Sequence, residues 1–436
     1  MRSDGYPSPR LLLWAALLAG VFATFPSVVP GSLDAAIPRT TDLLSLFSAM
    51  LLMLAVVRSA DLHVSIHRTA IVWAMTLPWV VVEICALGGA PDPPVQRLLL
   101  RWILCGFSAY YITVAAEQPV LRTWLLFGML TGIVCSTLTL IYDYVTFSPE
   151  DLPIDQLVNL AIYDGKDIHD FIYRAAGVFG HPNAAAGCVL IGVPVLIGMI
   201  QEQRLPRWTI VFALVLMAGV FYLTKSRGPL ITSSILVVYW GWSLTRRYWL
   251  PLMLLAGGAV LTVFAVGQLA LGWNVSALAD RFVDLDGIMV NANDRWWTIS
   301  TSFDLMIRNP IGMGSTYVEP LEVATGTSAT HNAFLELALM GGIPLMLFVI
   351  FRLFKAASAL RTVRAPVEAW LAAYLIGIFA FESFFLQVNV QLLIFWLLIS
   401  PLKPIAMQRG VRADAPVYSV PGTRVGLDWP RRGAPR

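Results

Sequence analysis

Apolar runs close to the length of a membrane span recur along the whole chain, and no other feature constrains its fold so strongly. A helix needs about 20 apolar residues to cross the hydrocarbon core of a bilayer. Runs of that order lie at 11–30, 43–57, 69–87, 98–116, 124–142, 184–200, 208–224, 229–245, 248–272, 333–354, 367–386 and 390–402, the second and last being short. Only 13% of the residues are charged and 57% are hydrophobic, whereas a soluble domain carries about 25% charged residues. That balance excludes a soluble enzyme, a disordered protein and a nucleic-acid binder. The expected fold is an all-α polytopic membrane protein with about 12 transmembrane helices. Cys85, Cys105, Cys135 and Cys188 all fall inside apolar runs, so no disulfide framework is implied. The first run is flanked by Arg2 and Arg10, as a signal peptide also would be. No small-x-small cleavage site follows its core, and a retained first helix is the expectation.

Lys and Arg sort between alternate loops. With the N-terminus inside, the inner segments and the tail hold twenty of the 30 basic residues and the outer segments nine, while Arg101 lies within a run. Cytoplasmic loops are the basic ones, so both termini are expected in the cytoplasm. Two outer loops are long, about 143–183 and 273–332, and the first is acidic from Asp143 to Asp170. Residues 1–407 form the membrane domain in this reading. Residues 408–436, rich in Arg, Pro and Gly, form a disordered cytoplasmic tail. Glu83 and Arg101 fall at similar depth in adjacent runs, which predicts an ion pair. Glu382 lies near the outer end of its run, without an obvious mate and placed to face a site there.

Polar and ionisable residues gather on the outer face, so chemistry is expected there. Lys225-Ser226-Arg227-Gly228-Pro229 joins two runs by a very tight turn, with two cations on the side where they are disfavoured. Pro229 suits a first helical turn, and helix N-termini favour anions. The turn therefore fits a phosphate or pyrophosphate, the alternative being cations that snorkel to lipid head groups. A helix is predicted from Asp294, its cap, to Arg308, with Trp296, Ile299, Phe303, Met306 and Ile307 at helical spacing, lying on the outer interface. Arg295 in it can grip phosphate oxygens bidentately, and Trp296 can stack on a sugar or sit at head-group level; an ordinary interfacial anchor would look the same. His331-Asn332 stands where the second long loop re-enters the membrane. A neutral imidazole there can take a proton from a sugar hydroxyl, or it can simply cap the following helix. Gly180-His181-Pro182-Asn183 precedes a small-residue run that allows close helix packing; Asn183 is placed to cap that helix and to touch substrate. Of the other histidines, His63 and His67 fall in an inner loop and His169 in the acidic loop. Asp284-Leu285-Asp286 imitates the acidic pair of metal-dependent sugar transferases, but no His or Cys ligand lies near it, so no metal site is expected. No Walker or dinucleotide motif occurs.

Taken together, three pieces resemble the O-antigen ligase and polymerase superfamily. They are the Lys225-Ser-Arg227-Gly turn, the Arg295-Trp-Trp helix leading to Asn309-Pro310-Ile-Gly312-Met-Gly314, and His331-Asn332-Ala-Phe-Leu-Glu336 followed by Gly341-Gly342-Ile-Pro. The likeness is best from about 180 to 350; the first five runs match in hydropathy alone. It implies a GT-C-type glycosyltransferase of the bacterial inner membrane, working on the periplasmic face without cofactor or metal on undecaprenyl-pyrophosphate-linked oligosaccharide. Arg227 and Arg295 would hold the pyrophosphate, Lys225 would support them, and His331 would activate the acceptor hydroxyl. From their own positions on that face, and not from the resemblance, Asn332, Asn183, Trp296 and Glu382 are candidate substrate contacts. A flippase and a chain-length regulator are the implied protein partners. Polymerisation of repeat units is the expected reaction, because the acidic loop can host a second polar oligosaccharide. Ligation to lipid A core and transport of the lipid-linked sugar are the alternatives.

Overall fold

A computed structural model of the chain describes residues 9–25, 66–87, 102–103, 105–110, 112–113, 116–147, 174–179, 181–243, 258, 285–327, 330–361, 365–380, 382 and 388–400. The run 43–57, all but one residue of the run 248–272, Arg101, residues 148–173 and the tail from 408 lie outside them. The helices are α1 (Pro9–Thr24), α2 (Ile66–Leu87), α3 (Pro119–Thr146), α4 (Pro182–Val189), α5 (Gly192–Gln201), α6 (Ile210–Thr224), α7 (Arg227–Ser243), α8 (Leu285–Arg308), α9 (Val318–Thr325), α10 (Ala333–Ala357), α11 (Val367–Phe379) and α12 (Val388–Ile399). Short 3₁₀ turns join some of them, and there is no strand among the described residues. These labels number helices, not spans. Pro119–Thr146, Pro182–Gln201, Arg207–Thr224 and Ala333–Arg361 are each long and apolar enough to cross a membrane, and shorter apolar helices accompany them. The protein is an all-helical membrane protein.

Apolar sequence on every side of α5 and α11 places them in the middle of the bundle. Gly192 to Ile200 is buried without interruption, and α11 buries Trp370, Tyr374, Leu375 and Phe379. Tyr374 donates its hydroxyl to the Gly187 carbonyl at 2.8 Å, so its one polar atom is satisfied in that core. Small residues bring α1 onto α3. A side chain at Gly20 would strike the Leu125 carbonyl, and one at Gly128 the Leu17 carbonyl. Close approach of this kind is how helices pack where lipid removes the hydrophobic drive between them.

Helix ends converge on two polar regions at opposite ends of the bundle. At one end Arg122, near the start of α3, meets Glu202 just past α5 and Glu368 at the start of α11. Its Nη1 and Nη2 lie 2.6 Å from the two Glu368 oxygens, and Nη2 lies 2.5 Å from Glu202 Oε1. Arg204 adds a bond to Glu202 Oε2 at 2.8 Å. At the other end the tip of α3, the start of α4, the turn between α6 and α7, the start of α10 and the residues after α11 come together.

The predicted interfacial helix is longer than expected. It begins at Leu285, so Asp294 lies inside it rather than capping it. Nucleating a helix is costly and extending it is cheap; the packed half around Thr298, Ser302 and Met306 lets it run back through weak formers such as Gly287 and Asn291. Its apolar residues also divide. Met306 is buried, while Trp296, Phe303 and Ile307 are exposed on the outer side, as an interfacial helix requires.

Helix α10 is broken, and the loop after α8 fills the break. Gly342 has φ +88°, ψ 163°, outside helical values. The Met313 N–H donates to the Leu339 carbonyl at 2.6 Å, and the Ile343 N–H donates to the Pro310 carbonyl at 2.9 Å. Backbone groups freed inside a membrane helix must find partners within the protein, and Pro310–Met313 supply them. The fit leaves no room for side chains: a Cβ at Gly312 would sit 2.6 Å from the Gly342 nitrogen, and one at Gly342 would strike the Ile311 carbonyl. The next residues are held from α2, where Glu83 accepts the Ser315 N–H at 2.8 Å, the Ser315 hydroxyl, and the Trp79 indole N–H at 3.2 Å. The ion pair expected for Glu83 has its other member, Arg101, outside the described residues. Gly342→Ala should destabilise the protein by about 2–4 kcal/mol, from left-handed strain plus overpacking; a melting curve in detergent that matches wild type would refute this account of the break.

Candidate functional site

Local sequence builds the site from helix ends. Lys225 ends α6 in a left-handed conformation (φ +51°), and Arg227 opens α7 two residues later. The tight turn is therefore as expected, with Pro229 in the first turn of α7. Within it the Lys225 ammonium lies 5.3 and 5.1 Å from the ring centres of Tyr144 and Tyr222 and donates to the Tyr222 carbonyl at 3.1 Å. Those two hydroxyls bond each other at 2.9 Å. Lys225 is thus a buried cation behind the turn, enclosed by aromatic faces. Arg227 is half-buried at its front.

Asn183 is the hub. Its Oδ1 accepts from Arg174 Nη2 at 2.7 Å and from the Ser226 hydroxyl at 2.9 Å, and its Nδ2 donates to Glu382 Oε2 at 3.1 Å. Arg174 also donates Nε to the Thr224 carbonyl at the end of α6, 2.9 Å away. Asn183 does not cap α4. That acceptor is His181 Nδ1, 3.2 Å from the Asn183 N–H, and Pro182 at the first helical position allows it. Glu382 in turn receives Arg295, whose Nη1 and Nη2 both lie 3.5 Å from Oε1. The contact is long, and the Arg295 side chain stays 39% exposed, so its fork is presented outward beside a buried carboxylate.

His331 takes a left-handed conformation (φ +54°), a region that few residues other than glycine occupy and one that clusters at functional sites. Capping of α10 falls to its neighbour: Asn332 Oδ1 accepts the Phe334 and Leu335 N–H groups, each at 3.0 Å, and Nδ2 donates to the Ala380 carbonyl at 3.3 Å. The capping alternative for His331 is therefore removed, and the His331 imidazole makes no hydrogen bond to a described residue. Burial, then the Arg295 charge, then His181 hold its pKa below the ordinary imidazole value. His181, exposed at its outer edge, is lowered likewise by partial burial, then by Arg174 and Arg295. Both rings are thus biased toward the neutral form beside two guanidiniums.

Arg295, Asn183, Glu382 and His331 are thus brought together from four distant segments. Asn332 braces the start of α10. Trp296 is 71% exposed, on the outer side of α8. Its neighbour Trp297 ties α8 to α9 through an Nε1–H bond to the Ala324 carbonyl at 3.3 Å. Sequence reasoning missed Arg174 and His181. Arg174 carried the same signal as Arg227, a cation in an outer segment, and was passed over because acidic residues surround it in sequence.

Residues 212–350 match the model of the O-antigen ligase family. Over that segment the chain is similar to the O-antigen ligase and polymerase superfamily. No curated protein matches it. The O-antigen ligase match runs from early α6 into α10, and so contains Lys225, Arg227, Arg295, His331 and the broken helix with its filling loop. Arg174, His181, Asn183 and Glu382 lie outside the matched segment yet pack against it. Members of that family are glycosyltransferase-like enzymes that act on lipid-linked sugars in a membrane.

Proposed function

We propose that the protein polymerises undecaprenyl-pyrophosphate-linked oligosaccharide repeat units as a GT-C-type, inverting, metal-independent glycosyltransferase on the periplasmic face of the bacterial inner membrane. The observation that most supports this reading is His331, an imidazole with no hydrogen-bond partner among the described residues, held in a strained backbone within the field of Arg295. In the reaction, His331 takes the proton of the acceptor hydroxyl as that oxygen bonds to C1 of the donor sugar. The bond from C1 to the pyrophosphate oxygen breaks, and undecaprenyl pyrophosphate leaves with the electron pair. Arg227 and Arg295 neutralise the charge growing on the leaving group, and Lys225 adds positive potential from inside its tyrosine enclosure. Asn183 and Glu382 hold Arg295 and Ser226 in place, while Trp296 meets sugar or lipid at the interface.

Ligation to lipid A core is the second reading, favoured by the match to the O-antigen ligase family. Transport gains little from the structure. Transporters use broken helices to bind substrate, but the break in α10 is filled by the chain's own Pro310–Met313. Purified protein given lipid-linked repeat units, with and without lipid A core, separates these readings. Longer lipid-linked chains are expected; transfer to core instead means ligase, and no transfer in either mixture overturns the enzyme reading. The same reaction should survive EDTA. Loss restored by Mg²⁺ would bring Asp284 and Asp286 into the site.

The orientation proposed with this function has twelve spans, both termini in the cytoplasm and the Arg295–His331 end outside. Ser358, beyond the far end of α10, then faces the cytoplasm. A Ser358→Cys protein should resist an impermeant thiol reagent in intact spheroplasts and react after permeabilisation; labelling before permeabilisation reverses the topology.

A further inference from the structure

His181 has no part in the reaction above, yet its ring is held as a part would be. Nδ1 accepts the Asn183 N–H, which fixes the neutral ring as the Nε2–H tautomer. Nε2, across the ring, has no hydrogen-bond partner among the described residues, and the residue is exposed. Two positions along, Asn183 bonds Arg174, Ser226 and Glu382, and Glu382 meets Arg295. The ring therefore stands at the edge of the same cluster that presents the Arg295 fork. We propose that His181 donates its Nε2–H to a non-bridging oxygen of the lipid pyrophosphate, as the uncharged member of the leaving-group site.

A neutral donor has a specific value there. When His331 takes the acceptor proton it becomes a cation, and a further fixed charge beside it would oppose that step. His181 adds a hydrogen bond to the phosphate without adding that charge. Partial burial, then Arg174 and Arg295, disfavour its protonation and bias it to that state.

This inference rests on the donor being pyrophosphate-linked. Its test measures undecaprenyl pyrophosphate binding to the full chain in nanodiscs, with thermal melting alongside. Asparagine is among the best helix caps, so His181→Asn keeps the acceptor for the Asn183 N–H and removes the outward N–H. Melting should stay near wild type while binding weakens roughly 10- to 100-fold, the range for losing a hydrogen bond to a charged group. Equal binding by a folded His181→Asn protein overturns the proposal and leaves the ring as a cap. If wild type binds no undecaprenyl pyrophosphate, the donor assignment itself falls instead. Should His181→Asn fail to fold, a His169→Gln, His331→Ala protein labelled with ¹⁵N-histidine decides the matter, because His181 is then the one histidine left at this end. Undecaprenyl pyrophosphate should shift its Nε2–H resonance, and an unmoved resonance overturns the proposal.

Discussion

Replacing His331 by alanine should lower turnover by about 10²–10⁴-fold, the usual worth of a general base, with donor binding near wild type. The α10 cap stays with Asn332, so the loss cannot come from uncapping. His331→Asn is the sharper variant, since asparagine tolerates the left-handed backbone but has no basic nitrogen. Near-wild-type turnover in His331→Asn would remove the general-base role and bring Glu382 or Glu336 forward. The pH profile gives a second reading. Only the neutral ring accepts a proton, and burial and Arg295 lower its pKa. Activity should therefore persist below the ordinary imidazole value and be lost as pH falls through the lowered one. An acid limb at or above that ordinary value would contradict the assignment.

Arg295→Ala and Arg227→Ala should each abolish measurable transfer while the protein remains in the membrane. The departing pyrophosphate needs charge neutralisation in the transition state, and a guanidinium supplies it through a planar fork that lysine cannot imitate. Arg227→Lys should accordingly stay impaired. Arg295→Ala has a second consequence, because it strands the buried Glu382 carboxylate, and uncompensated buried charge destabilises. An Arg295→Ala, Glu382→Gln double variant separates the two effects: melting should recover and transfer should not. Recovery of transfer in that protein would show that Arg295 serves Glu382 and not the donor.

Most of the helices could be read from hydropathy. The runs at 124–142, 184–200, 208–224, 229–245 and 333–354 became α3, α4 with α5, α6, α7 and α10, shifted by a few residues at their ends. The reason is that apolar length is dictated by the bilayer and little else. The candidate site was legible residue by residue wherever a cation or imidazole stood in a segment that the charge pattern assigns to the outer face, as for Lys225, Arg227, Arg295 and His331. Its connections were not. That Asn183 bonds Arg174 nine residues back and Glu382 far down the chain depends on helix packing, which hydropathy does not encode. Sequence reasoning gave the capping role to Asn183, whose amide proved to be the acceptor and donor for three other side chains, with His181 as the cap. Local spacing favours an Asx cap at that position, and only tertiary contacts show the amide turned away. Glu83 shows the same limit: charge pairing suggested Arg101, while the described contacts run to Ser315 and Trp79, one of them 232 residues away.

The break in α10 has a consequence for biogenesis. Pro310–Met313 precede α10 in the chain and are synthesised before it. Pro344 has no N–H for the Met340 carbonyl, so α10 cannot run straight here, and the Leu339 carbonyl and Ile343 N–H exchange each other for Met313 and Pro310 once that loop arrives. That exchange fixes the end of α8 and the start of α10 against each other in one event. The arginine and the histidine acquire their relative position at that moment, late in assembly, and a nascent chain that has inserted every span can still lack a working centre.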